Sequence, residues 1–186
     1  MKLDRDFYLR PGLTVAPELI GKQLVHRTAD GVTKGIIVEA EAYIGPDDAA
    51  SHAYKNLHTK RTAIQYGEGG FAYIYIIYGL HICMNIVTNI KTYPEVVLLR
   101  ALQPTSGIDL MKTRRNMNSV KNLCNGPGKL SKAMGIGKNE YGINLCGDEL
   151  YLETVDNFEP TVISTRRINI DYAGEAANYL WRFIDK

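Results

Sequence analysis

Cysteine is scarce in this chain and badly spaced for any cross-link or cluster. Cys83, Cys124 and Cys146 are odd in number and form no CxxC. A disulfide framework or zinc ribbon is therefore not expected, and reduced thiols fit a cytoplasmic protein. No segment approaches the roughly 20 apolar residues that a membrane span needs. The N-terminus, MKLDRDFYLR, carries acidic residues and no apolar run, so it does not read as a signal peptide. The four histidines, at 26, 52, 58 and 81, are scattered in a way that does not suggest zinc. No GxGxxG follows a strand, CNGPGKL lacks the P-loop spacing, and no Ser or Cys has a nucleophile signature around it. Charge of one sign is lacking too. The net value of +2 decides nothing about nucleic acid, because a binder can gather its Lys and Arg on one face. Repeats, low-complexity stretches and linkers are absent, so one domain over residues 1–186 and a monomer are expected.

What the chain does have is an aromatic centre. Five of its twelve tyrosines fall between residues 66 and 93, which sets the middle third apart from the rest. The stretch FAYIYIIYGLHICMN, Phe71–Asn85, is rich in aromatic and β-branched residues and breaks at Tyr78-Gly79-Leu80. It reads as a hairpin, with strands at 71–77 and 81–87. Alternation puts Tyr73, Tyr75 and Ile77 on one face and leaves Tyr78 at the tip. Tyrosine can fill a core hairpin as an amphipathic side chain. A protruding ring beside a ring-lined face could also wedge into a base stack and receive the displaced base.

In chain order, residues 1–12 read as an arm, and Thr14 as the N-cap of a helix over 15–20. Strands are expected at 22–28 and 32–44. On the second, Ile37, Glu39, Glu41 and Tyr43 share one face, and Ile36, Val38, Ala40, Ala42 and Ile44 the other, better buried one. A helical turn at 49–53 and a long basic loop over 54–70 follow, and loops of that length are usually functional. Then come a strand at 95–102, a basic helix capped by Thr105 or Ser106, and a proline-started helix from Pro127 to about Gly135. Strands at 149–154 and 161–168, a helix at 171–179 and a strand at 181–184 close the chain. This order is not a strict βα alternation. It predicts an α+β fold: a curved, mainly antiparallel sheet, surrounding helices and a protruding β-hairpin.

Glu39 and Glu41 sit on a mostly apolar strand, where a carboxylate needs a partner to be buried. They could face solvent, one could be a general base, or the pair could join Asp47 in holding a metal. Arg100, within VVLLRAL, also wants a partner, and Glu41 or Glu39 is the natural one. His52 could be a structural residue or a flat stacking surface. The first turn after Pro127, with Lys129, could receive a phosphate.

Five blocks carry a resemblance. They are VEAEAYIGPDDAASHA (38–53), YIYIIYGLHICMNIV (73–87), VVLLRALQP (96–104), CNGPGKL (124–130) and RINIDYAGEAANYLWRF (167–183). Their order and spacing resemble the alkyladenine, or 3-methyladenine, DNA glycosylases, over nearly the whole chain. The resemblance implies a monofunctional enzyme that flips a damaged purine out of duplex DNA and hydrolyses its N-glycosidic bond. The substrates implied are the 3-methyladenine, 7-methylguanine, hypoxanthine and etheno-adenine class. It aligns Glu41 with the residue that activates water, and Arg100 and the Ile168 carbonyl with groups that hold that water. Tyr43 aligns with one stacking wall, His52 and Tyr75 with the other, Asn85 with a pocket residue that crowds guanine, and Tyr78 with the intercalating side chain. Lys60, Arg61 and Lys129 are candidates for the DNA backbone, with the basic helix 112–115 beside them. No metal or cofactor is implied. Lys60, Thr62, Asn169 and Leu180 depart from the family pattern and bear on backbone contacts and loop geometry. Two other readings stay open: a non-catalytic binder of damaged DNA, and a metal-dependent nuclease built on Glu39, Glu41 and Asp47.

Overall fold

The computed structural model describes residues Met1–Lys186. Two short helices open the chain, α1 (Arg5–Tyr8) and α2 (Gly12–Leu19). Strands β1 (Gln23–Thr28), β2 (Gly31–Ile44), β3 (Ala72–Ile77), β4 (His81–Thr88) and β5 (Glu95–Ser106) follow. Helices α3 (Ile108–Arg115) and α4 (Pro127–Met134) come next, and then β6 (Leu150–Glu153), β7 (Val162–Thr165) and β8 (Arg182–Asp185). Short 3-10 turns cover 54–56, 63–66, 138–140 and 171–178. The strands form one antiparallel sheet in the order β3-β4-β5-β2-β1-β6, with β8 also pairing with β2 and β7 with β8. The expected α+β class with a curled antiparallel sheet is what the chain adopts.

One face of the sheet makes the core. Ala72 and Ile74 of β3, Met84 and Ile86 of β4, and Val97 and Leu99 of β5 pack there with α2 and α4. The alternate residues, Tyr73, Tyr75, Cys83, Asn85, Val96 and Leu98, line a cleft on the opposite face. Period-two alternation alone explains this division.

The alternation breaks at one place, and the expected faces of β2 are corrected there. Strict alternation places Ile37 beside Glu39 and Glu41, with Val38 in the core. Ile37 is instead fully buried with Ala40 and Ala42, and Val38 is half-buried. The β2–β5 register explains the switch. Ile37 pairs with Leu102, Glu39 with Ala101 and Ala40 with Leu99, so Val38 on β2 and Arg100 on β5 are each an extra residue. A bulge re-aims the chain and shifts which residues face inward.

Several helix boundaries also move. The N-terminal arm holds α1, capped by the Asp4 side chain at the Phe7 amide. Helix α2 starts at Gly12 rather than Val15, because the Glu95 carboxylate accepts from the Gly12 amide at 2.5 Å. Residues 49–53 are turns and not a helix, and 171–178 is a 3-10 segment kinked at Gly174. Strand β5 runs on to Ser106, past the expected cap, so α3 is capped by Gly107. That residue has φ 70, and a Cβ there would lie 2.3 Å from the Val32 carbonyl oxygen.

The hairpin tip is where it was expected. The Leu80 amide donates to the Ile77 carbonyl at 3.2 Å, and Tyr78 and Gly79 have φ of 53 and 68. Two positive φ values fit the primed turns that match strand twist. A tyrosine in this left-handed region is an outlier of the kind that collects at functional sites. Gly107→Ala should lower unfolding stability by at least 1–3 kcal/mol, roughly the cost of strained backbone, and by more than Gly79→Ala, whose added Cβ meets nothing within 4 Å. Urea denaturation of the two variants measures the difference.

Candidate active site

The cleft on the concave face encloses about 380 Å³. Tyr43, His52, Arg61, Tyr73, Tyr75, Tyr78, Asn85, Arg100, Lys129 and Ile168 all line it. The structure thus gathers distant residues, and Glu41 and Ile168, which meet beside the cleft, are 127 positions apart.

Glu41 lies just behind this lining and is wholly buried. Its Oε2 accepts from the Tyr43 hydroxyl at 2.8 Å and from Arg100 Nη1 at 3.2 Å. Its Oε1 accepts from the Ile168 amide at 2.9 Å. A carboxylate has about four lone-pair sites, so one site on Oε1 is left for a water. Burial pushes the Glu41 carboxyl above the ordinary range, against the pull of Arg100, the Ile168 amide and Tyr43. A raised carboxyl pKa is what a general base working near neutrality needs.

The bulge on β5 aims Arg100 across the sheet, where Nε donates to Glu39 Oε1 at 2.8 Å. Arg182 Nε meets the same oxygen at 2.7 Å. Glu39 is therefore held by two arginines, while Glu41 shares one. Asp47 is exposed and does not converge with them, so the three acids proposed for a nuclease form no common site.

The aromatic walls are built across strands. His52 meets the Tyr75 ring edge-on with centroids 4.7 Å apart, and its Nδ1 lies 2.8 Å from the Tyr73 hydroxyl. Burial, and then the Arg61 charge, lower the His52 pKa to about 4, so its ring is neutral near pH 7. Burial also raises the Tyr43 and Tyr75 pKa values, so both stay protonated. Burial raises the Cys83 thiol as well, which leaves it a poor nucleophile. Asn85 is held by its amide donating to the Tyr73 carbonyl at 3.2 Å.

Of the candidate backbone residues, Lys129 lines the cleft from the first turn of α4 and bonds Asn125 at 2.9 Å. Lys60 is exposed and outside the lining. Arg61 is drawn inward: its guanidinium lies 4.9 Å over the Tyr75 ring and 2.9 Å from His52 Nε2. In the basic helix, Arg114 and Arg115 are taken up by the Ala133 and Leu123 carbonyls, so they serve packing.

One pair in this region was not singled out from the sequence. Arg167 is buried and bidentate to buried Asp48, at 2.5 and 2.8 Å, and also donates to the carbonyls of Ala42 and Ala176. Its guanidinium faces the rings of Tyr43 at 4.7 Å and Trp181 at 5.0 Å. Asp48 in turn accepts from the Ile44 and Ala50 amides. The pair so fixes Tyr43 from behind and anchors Ile168, the next residue. The two charged residues lie 119 positions apart, and only the Asp-Asp turn and the Arg-Arg pair hinted at them.

A sequence profile described as methylpurine-DNA glycosylase (MPG) matches residues 6–186. The chain belongs to the methylpurine-DNA glycosylase family. Curated relatives agree over full length. A protein of Alkaliphilus oremlandii is 46% identical over 196 residues, covering 100% of this chain and 96% of its own. One of Clostridium acetobutylicum is 46% identical over 194 residues, covering 100% and 95%. One of Natranaerobius thermophilus is 46% identical over 187 residues, covering 98% and 94%. Each is named "Putative 3-methyladenine DNA glycosylase". This methylpurine-DNA glycosylase is accordingly a hydrolase of N-glycosyl bonds in DNA that serves base excision repair.

In this glycosylase, Asp48→Ala should cost about 3–5 kcal/mol of unfolding free energy, as loss of one partner of a buried pair does. Adding Arg167→Met should restore part of that loss, because the stranded charge is gone. Chemical denaturation of the single and double variants gives the coupling.

Proposed function

We propose that the enzyme flips alkylated or deaminated purines out of duplex DNA into this cleft and hydrolyses the glycosidic bond with water activated by Glu41. The substrate class is 3-methyladenine, 7-methylguanine, hypoxanthine and etheno-adenine. The observation that carries the reading is the open lone pair on a buried Glu41, directly behind an aromatic cleft. Flipping costs a few kcal/mol, and stacking returns about 1–3 kcal/mol per base. Tyr43 on one side and His52 with Tyr75 on the other offer those faces. A base alkylated on a ring nitrogen is cationic and is attracted to π faces, and a neutral His52 does not repel it. The same charge makes the base a good leaving group. One carboxylate can then orient water and favour the positive charge growing on the sugar. Arg100 and the Ile168 amide hold that carboxylate in place, while the Ile168 carbonyl is free to meet the water. Asn85 is a fixed amide that would crowd the exocyclic amino group of normal guanine.

The hairpin tip supplies the wedge. Tyr78 and Leu80 are 80% and 81% exposed beside the cleft, which no core role explains. Lys60, Arg61, Lys129 and the first turn of α4 are offered to phosphates, and Arg61 must leave Tyr75 as the base enters. We further read the chain as one domain acting as a monomer on duplex DNA in the cytoplasm. No helix is long and apolar enough to cross a membrane.

With an alkylated duplex in EDTA, wild-type protein should release free base and leave abasic sites without cutting the strand. Glu41→Gln should lower base release by about 10²–10⁴-fold, the usual worth of a general base. Glu39→Gln should lower it less; a larger loss at Glu39 would reverse the assignment. The pH dependence has a definite sign. The folded pKa of Glu41 is raised, so activity should fall with acid at a pH above the ordinary glutamate value of about 4.3. Its contribution to stability runs the other way: it is fully present below the unfolded pKa and is lost as pH rises through the folded one. The Tm of wild type minus that of Glu41→Gln should therefore grow as pH is lowered through this window.

Tyr78→Ser separates a wedge from a core residue. Stability should change by no more than about 0.5 kcal/mol, as for exposed sites. Excision from matched duplexes should fall, and fall less where the lesion faces a gap or mismatch, since that base is easier to extrude. Tyr75→Ala removes a pocket wall, so its defect should persist in every context. Single-turnover excision on paired and mismatched duplexes distinguishes the two.

A further inference from the structure

Behind the cleft, at the β1–β6 end of the sheet, is a second group of chemically active side chains. His26 of β1 is 1% exposed, and its Nδ1 lies 2.9 Å from the Met134 carbonyl. A carbonyl can only accept, so Nδ1 carries a proton and donates. In the neutral ring that leaves a lone pair on Nε2, which is shut from solvent and has no hydrogen-bond partner. Such an orphan is costly and calls for an explanation. What Nε2 faces is acidic. Glu140 Oε1 lies 4.0 Å away, and the ligand atoms of His26, Glu140 and Glu149 all lie within 4.8 Å of one another.

We propose that His26, Glu140 and Glu149 form a binding site for one divalent transition ion, zinc by preference. This site is separate from the glycosidic chemistry and independent of its assignment. An imidazolium does not resolve the orphan, because 4.0 Å is beyond the roughly 2.7–3.2 Å reach of an N–H···O bond. An ion does. Ligand atoms held about 2.0–2.2 Å from zinc lie roughly 3.3–3.6 Å apart around a tetrahedron. The 4.0 Å pair needs little movement, and Glu149, an exposed side chain, can swing in to close the wider gap. The surroundings suit a ligand set. A metal-binding histidine usually gives its other N–H to a carbonyl, as His26 does to Met134. Glu140 is also oriented, because its Oε2 accepts from the Gly137 amide at 2.5 Å. One imidazole and two carboxylates suit zinc better than calcium or magnesium, which prefer all-oxygen shells. Water would complete the fourth position.

The ion would tie β1, the 138–140 turn and the residue before β6 together. The turn leads to Tyr141, whose hydroxyl meets the Lys60 and Arg61 carbonyls and whose ring packs on Tyr73. The site thus braces the back of the cleft without entering it.

Chelator-treated full-length protein titrated with Zn2+ by calorimetry should bind one ion per chain, with a rise in Tm of several degrees, since an ion that binds only the folded state stabilises it. Cobalt(II) should give the absorption of a tetrahedral site. Glu149→Gln, at an exposed position, and Glu140→Gln, which keeps an oxygen for Gly137, should each weaken zinc at least tenfold and remove the Tm rise. Absence of zinc binding by wild type overturns the proposal. So does zinc binding of unchanged strength in both variants, which would locate the ion elsewhere. Base release by the metal-free protein, assayed well below its Tm, tests the glycosylase reading separately.

Discussion

A guanidinium sealed from water holds the site together. Arg167 gives both Nη groups to the Asp48 carboxylate and two carbonyls, its buried Nε has no partner, and it is sandwiched by two rings. A buried charge is tolerable only when an opposite charge pairs with it, so the arrangement depends on the Asp48 carboxylate. The consequence is geometric. Arg167 draws together the end of β2, the turn after it, the 171–178 segment and the approach to β8. Only when these meet does the Ile168 amide reach Glu41 and the Tyr43 ring acquire a rigid back. The Glu41 carboxylate sits on β2, but its orientation depends on residues near the other end of the chain.

The paired bulges at Val38 and Arg100 make the second contribution. Without them, strict alternation would leave Ile37 on the cleft face and point Arg100 out of phase with its neighbours. With them, the apolar residues before the bulge and after it share one core, while Glu39, Glu41 and Arg100 meet on the other face. Two carboxylates and two arginines then form a chain from Arg182 through Glu39 and Arg100 to Glu41. In this network burial raises the Glu41 pKa, while Arg100, the Ile168 amide and Tyr43 pull it the other way.

The hairpin and the cleft show opposite strategies. The cleft is tied together: Tyr73 bonds to His52 and Arg61, and Tyr43 to Glu41, so its ring faces are fixed in place. The hairpin tip is bare and strained, with a left-handed tyrosine that no neighbour requires. In the proposed function, preorganisation in the cleft lowers the cost of receiving a base, and exposure at the tip lets a ring take the base's former position. Arg61 rests on Tyr75 at the mouth of this cleft.

Much of this was legible in the linear sequence, because it depends on local pattern. Alternating side chains put Tyr73, Tyr75 and Ile77 on one face. A glycine after an exposed tyrosine marked the hairpin tip, and five motif blocks carried the family. Tertiary structure alone decided the rest. The bulges that moved Ile37 and re-aimed Arg100 arise from pairing between β2 and β5, which no single strand reveals. Helix α2 begins at Gly12 because Glu95, 83 residues later, caps it. Asp48 found Arg167 because burial made each charge seek whatever partner the fold brought near, while Arg61, an exposed residue, lies over the Tyr75 ring and against His52. Periodicity is written in neighbouring residues, whereas the partner of a buried charge is chosen by the packing of distant ones.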